Sequence, residues 1–136
     1  MLKRFSISLE EDLLNNFDEF ITKKKYSNRS EAIRDLIRKA FVQEAWEADQ
    51  TVVGVISLVY DHHRHQLQER ITEQQHDYHH QIISTTHVHM DHHNCLEVII
   101  VRGQAKTVQE LAASLMATRG VKDGHLAMSS TGDHLH

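Results

Sequence analysis

The 136-residue chain is 40% hydrophobic and 25% charged, enough apolar material for one ordinary domain or two small ones and unlike the composition of a disordered chain. That length excludes a large enzyme barrel. A net charge of −4 excludes a protein that coats nucleic acid or anionic membrane along its whole length, but residues 1–42 carry +2 and residues 43–136 carry −6, which implies two modules.

Arg4 to Leu9 alternates, with Phe5, Ile7 and Leu9 on one side and Arg4, Ser6 and Ser8 on the other, the pattern of a half-buried strand. Ser8-Leu9-Glu10-Glu11 has the spacing of a capping box, and Leu13, Leu14, Phe17, Phe20 and Ile21 follow at helical intervals, which predicts a helix to about Lys24. A second start signal, Asn28-Arg29-Ser30-Glu31, precedes Ile33, Leu36, Ile37, Ala40 and Phe41, so a second helix reaches about Val42 or a little beyond. One strand and two helices in so few residues lie close to the limit below which a domain needs an oligomer, a metal or a disulfide. The economical remedy is a twofold dimer whose strands pair as an antiparallel ribbon. Such a ribbon fits the DNA major groove and would turn Arg4, Ser6 and Ser8 toward base edges. Free amides at the second helix start, beside Asn28, suit a backbone phosphate. These residues resemble the ribbon-helix-helix repressors. The plainer alternative is an edge strand with a helical interaction hairpin.

Gln43 to Thr51 can continue the second helix, and the domain boundary is expected near residue 50, dividing the chain into 1–50 and 51–136. Val52 to Tyr60 is a β-rich apolar run that reads as a buried central strand. His62 to Gln75, with Leu67 and Ile71, reads as a helix with a narrow apolar stripe. Ile82 to Met90 and Cys95 to Val101 are strand-like on either side of a turn at Asp91-His92-His93-Asn94. Thr107 to Arg119 sets Val108, Leu111, Ala112, Leu115 and Met116 on one helix face, Gly120 suits its carboxyl end, and Val121 to Met128 is a last strand. The order β-α-β-β-α-β is the ferredoxin-like split unit, so the fold class is α+β. Ser129 to His136 reads as a frayed tail.

A single cysteine cannot form an intrachain disulfide, and neither a signal peptide nor a membrane span is legible, so a cytoplasmic protein is expected. Histidine is the anomaly. Of 13 histidines none lies in residues 1–61 and ten lie between His62 and His93, which nominates metal binding. His87 and His89 alternate along one strand and so share a side, and Cys95 opens the return strand close to His89. Thiolate plus imidazole suits nickel, copper or zinc rather than magnesium or calcium. A fourth ligand is expected from Gln75-His76-Asp77-Tyr78-His79-His80, where spacing alone does not choose. Cys95 with His89 could instead be nucleophile and base, but with five glycines no phosphate loop or oxyanion device is visible, and no enzyme is expected. A metal buffer without a DNA role is a further alternative.

The two modules together, with Gln75-His76, His87-Val88-His89 and Cys95-Leu96-Glu97, resemble the nickel-responsive NikR family over nearly the whole chain. That resemblance implies an ACT-type second domain and a planar nickel site of His87, His89 and Cys95 from one subunit and His76 from a neighbour. Zinc satisfies the same donor types. It also implies a homotetramer, a dimer of dimers, repressing from a palindromic double-stranded operator. Arg4, Ser6 and Ser8 would read bases, Asn28 would touch phosphate, and Arg64 would be a basic DNA contact. Glu31 with Asp35 would hold a second cation between the modules, and Glu97 and Gln75 would orient ligands. Ser6 and Ser8 stand where the family commonly has threonine, which keeps the hydroxyls and removes the methyls.

Overall fold

A computed structural model describes residues 1–136, which form two compact units, Met1–Ala40 and Phe41–His136. The elements in order are α1 (Glu11–Lys23), α2 (Arg29–Glu47), β1 (Thr51–Asp61), α3 (His65–His76), β2 (Ile82–His89), β3 (Asn94–Gln104), α4 (Ala105–Met116) and β4 (Val121–Met128).

In the first unit the expected strand is not formed, and residues 1–10 have no regular structure. A strand exists only through ladder hydrogen bonds, and a single chain offers Arg4 to Leu9 no partner. Phe5 and Ile7, the apolar side of that segment, are 72% and 63% exposed. The helix after it begins at Glu11 with no side-chain cap, so the capping-box spacing at Ser8 is not used. Instead Glu11 and Asp12 place negative charge in its first turn. The second start signal does work as read: Asn28 Oδ1 accepts from the Glu31 amide at 2.9 Å and caps α2. Arg29 grips Asp18 through two parallel hydrogen bonds of 2.9 Å, clamping α2 to α1. Leu13, Leu36 and Ile37 remain exposed, and only Ile21 and Ala32 are buried in this unit.

The second unit is a four-stranded antiparallel sheet in the order β2-β3-β1-β4. β1 alternates as a buried strand must: Val52, Ile56, Leu58 and Tyr60 point into a core shared with Ile99 and Val101 of β3, Leu67 and Ile71 of α3, and Val108, Leu111 and Leu115 of α4. Gly54 takes its turn on that side, and a Cβ there would lie 2.7 Å from Val108 Cγ1, so only glycine lets α4 approach. The intervening residues, Val53, Val55, Val59, Leu96, Val98 and Ile100, make the other sheet face apolar and half-exposed. β3 runs three residues beyond its expected end at Val101 because Thr51 of β1 pairs with Gln104. Gly120 follows α4 at φ +105°, the left-handed conformation expected of a glycine there. The chain end is anchored at its start, where the Trp46 indole N–H donates to Ser129 O at 2.9 Å and the Ser129 amide to Val53 O at 2.8 Å.

Candidate metal centre

β2 is an edge strand, and His87 and His89 stand on it opposite Glu97 and Cys95 of β3. Edge placement leaves both imidazoles exposed, while the groups facing them from β3 are 1% exposed each. Cys95 is the free thiol of the chain. Burial pushes it up, the Tyr60 hydroxyl opposes that shift, and the charge of Glu97 adds to it, so without an ion the sulfur carries its proton. The turn that brings the two strands together is built by Asp91, whose Oδ1 accepts from the amides of His93 at 2.9 Å and Asn94 at 2.7 Å. Those bonds, with the Asn94 side chain, hold the Asp91 carboxyl down at about 2.

Glu97 is the one buried charged residue. The Tyr60 hydroxyl donates to its Oε1 at 2.6 Å, the Gln75 amide donates to Oε2, and His87 Nε2 lies 3.3 Å from Oε1. Gln75 is itself oriented by Thr85 Oγ1, which donates to its Oε1 at 3.1 Å. Burial, then the carboxylate beside it, pushes the Tyr60 phenol up and keeps it a donor. An acceptor held in this way fixes the His87 ring with Nε2 toward Glu97.

Gln75 and His76 are consecutive on α3, so their side chains differ by about 100° around the helix. With Gln75 turned inward to Glu97, His76 is exposed, its ring 5.7 Å from that of His79. Within one chain the four expected ligands are therefore not gathered. The trio whose ligand atoms do lie within 4.8 Å of one another is Asp61, His63 and His93. The His62 ring stacks on that of His89 at 4.5 Å with 4° between planes, and its Nδ1 is buried without a partner. Burial, then the neighbouring His63, pushes the His62 imidazole down, which favours its neutral form. Tyr60 was missed from sequence. Its sequence signal is a hydroxyl at the inner end of an apolar strand, which must find a buried partner.

Arg64 immediately precedes α3 without capping it through its side chain, and it lines a cleft with Arg70 and Arg119. Arg4, Ser6 and Ser8 are exposed. Glu31 pairs with Arg34, while Asp35 accepts from the Tyr26 hydroxyl and lies 3.1 Å from Lys39 Nζ, so the two acids expected at a second cation site each hold a side chain of α2 or its approach. No helix is long and apolar enough to cross a membrane.

Residues 3–44 match the ribbon-helix-helix protein, copG family, and residues 53–129 match the NikR C terminal nickel binding domain. These matches define the class: an α+β regulator with a DNA-binding ribbon-helix-helix domain and a nickel-binding domain, and not an enzyme. The chain is 65% identical over 136 residues to a Desulfotalea psychrophila protein named "Putative nickel-responsive regulator", covering 100% of both. It is 53% identical over 134 residues to proteins of the same name from Geobacter sulfurreducens and Geotalea uraniireducens, covering 98% of this chain and 96% of each. An uncharacterized protein of Thermotoga maritima superposes with a TM-score of 0.52 at 13% identity, over 57% of this chain and 96% of its own, and shares the fold of that part. The chain belongs to the NikR family of nickel-responsive regulators.

Proposed function

We propose that the protein is a cytoplasmic, nickel-dependent repressor that occupies a palindromic operator as a homotetramer and controls nickel uptake. His87, His89 and Cys95 of one subunit and His76 of a neighbour hold the ion, and Glu97 with Gln75 orients His87. The observation that carries this reading is the split of the donor set. His87 and His89 stand on β2 with Cys95 on the paired strand β3, while His76 turns outward, so a site of this composition calls for completion by a second chain. The chemistry fits, because imidazoles and a sulfur that ionises on binding suit a borderline divalent ion, which supplies a charge-dense link between subunits.

Two further features support assembly. The half-exposed apolar sheet face and the free β2 edge call for cover in the second unit. In the first, Phe5, Ile7, Leu13, Leu36 and Ile37 have no core of their own, and pairing Arg4 to Leu9 with its copy would bury them and make the ribbon. Arg4, Ser6 and Ser8 then face bases, Asn28 a phosphate, and Arg64 the DNA backbone beside Arg70 and Arg119. Glu31 and Asp35, on successive turns of α2, are where a second cation would bind.

An effector acts only by preferring one state. An ion shared between subunits prefers the assembly in which the sharing chains are docked. That state presents both ribbons to the two half-sites together. Genomic fragments selected by the full-length protein in nickel, then retested with a chelator, check the reading: nickel should tighten binding at least about tenfold, within the usual range of coupling between sites. Equal affinity in the two conditions, or equal behaviour of Cys95→Ala in nickel, would contradict it.

A further inference from the structure

Two turns meet at one end of the sheet of the second unit: Asp61 to Arg64 after β1, and Met90 to His93 before β3. The backbone joins them, with the His62 amide donating to His93 O at 3.0 Å. Asp61 fixes the first turn by accepting the His63 amide at 2.9 Å, as Asp91 fixes the second. Two prefabricated turns thus present side chains to each other without cost in backbone order at the moment of binding. Between them the ligand atoms of Asp61, His63 and His93 lie within 4.8 Å of one another, His63 Nδ1 being 4.0 Å from Asp61 Oδ1. Donors around one ion at about 2.1 Å stand roughly 3 to 4 Å apart, so a small swing of exposed imidazoles closes the set. The His92 ring lies 5.3 Å from that of His63 and offers a further nitrogen on the same rim.

We propose that Asp61, His63 and His93 form a second divalent transition-metal site on each chain, distinct from the thiolate centre. Two imidazoles and a carboxylate with open positions for water are a nitrogen-oxygen set, suited to nickel, zinc or copper and poor for magnesium and calcium, which prefer oxygen alone. No sulfur takes part, so this site differs from the Cys95 centre in its spectrum as well as its place. All three donors come from one chain, so it fills without a partner. Its ion would pin the turn that leads into Cys95, and hence the hairpin carrying His89.

Nickel alone is the probe, with full-length protein in equilibrium dialysis and the thiolate-to-nickel absorption band as a separate reporter of the Cys95 centre. His63→Ala/His93→Ala should bind one equivalent per chain less than wild type while the band keeps its full intensity. His63→Gln/His93→Gln, closer in size, should lose the same equivalent, which separates ligand loss from a turn that fails to form. Cys95→Ala should lose the band and retain the nitrogen-oxygen equivalent, and X-ray absorption of that variant should show no sulfur neighbour. His79→Ala/His80→Ala should bind as wild type. Undiminished stoichiometry in either His63/His93 variant, or loss of the equivalent with Cys95→Ala or His79→Ala/His80→Ala, would overturn the proposal.

Discussion

Replacing Glu97 tests how the interior of the second unit supports its edge. In Glu97→Ala the Tyr60 hydroxyl, now 2.6 Å from its acceptor, and the Gln75 amide both lose their partner. The buried Tyr60 donor left without an acceptor costs about 1–3 kcal/mol, while the half-buried Gln75 amide can turn to water, so the metal-free protein should lose about 1–3 kcal/mol, a sizeable share of an ordinary domain's 5–15. Glu97→Gln keeps the volume and one acceptor oxygen and should lose less than the alanine variant. The His87 ring, 3.3 Å from Glu97, loses its support in both, and nickel affinity should fall about 10–100-fold, the usual effect of removing a partner of a ligand. Urea unfolding of metal-free protein at one fixed chain concentration reads the first number, and competition with a chelator of known affinity reads the second. An alanine variant as stable as wild type, or one with undiminished nickel affinity, would refute the reasoning.

Gly54→Ala should destabilise by about 1–3 kcal/mol through overpacking, since the new Cβ would meet Val108 Cγ1 at 2.7 Å and Leu126 Cδ1 at 3.0 Å; a thermal melt unchanged from wild type would contradict the packing described. Val98→Glu places a charge on the half-exposed apolar sheet face and should leave circular dichroism intact while sedimentation shows a smaller assembly. The Asp91 carboxyl is held below its ordinary 3.8 at about 2, so its folded-state ionisation stabilises the turn fully above 3.8 and that contribution fades as pH falls to 2. Amide exchange at His93 and Asn94 should therefore quicken over that window relative to exchange elsewhere in β3, and Asp91→Asn should remove the pH dependence.

What the sequence disclosed is what depends on period and spacing. The β-α-β-β-α-β order followed from the continuous β-rich apolar run Val52 to Tyr60 and from the helical spacing of Val108, Leu111 and Leu115, and the hairpin followed from Asp91 to Asn94. The pairing of His89 with Cys95 is a consequence of that hairpin and was legible with it. The environment of Glu97 was not, because its partners Tyr60 and Gln75 come from other elements of the sheet and helix layer, and only packing brings them together. The stacking of His62 on His89 was hidden for the same reason, since it depends on two turns meeting across the ends of neighbouring strands. Residues 4–9 alternate like a strand yet form none in a single chain, since alternation reports which side wants burial and a ladder needs a second strand. Ser8 was a false cap because its spacing fits while the helix begins beyond it, at Glu11.

The most direct test of the shared nickel centre is subunit mixing. Cys95→Ala chains and His76→Ala chains, each loaded with nickel alone, should lack the thiolate-to-nickel band of the intact site. Unfolded together and refolded as mixed assemblies, they should regain it, because one chain then supplies His87, His89 and Cys95 and the other supplies His76. A mixture that stays dark, or a His76→Ala protein that shows the full band unaided, would contradict a centre built across two subunits.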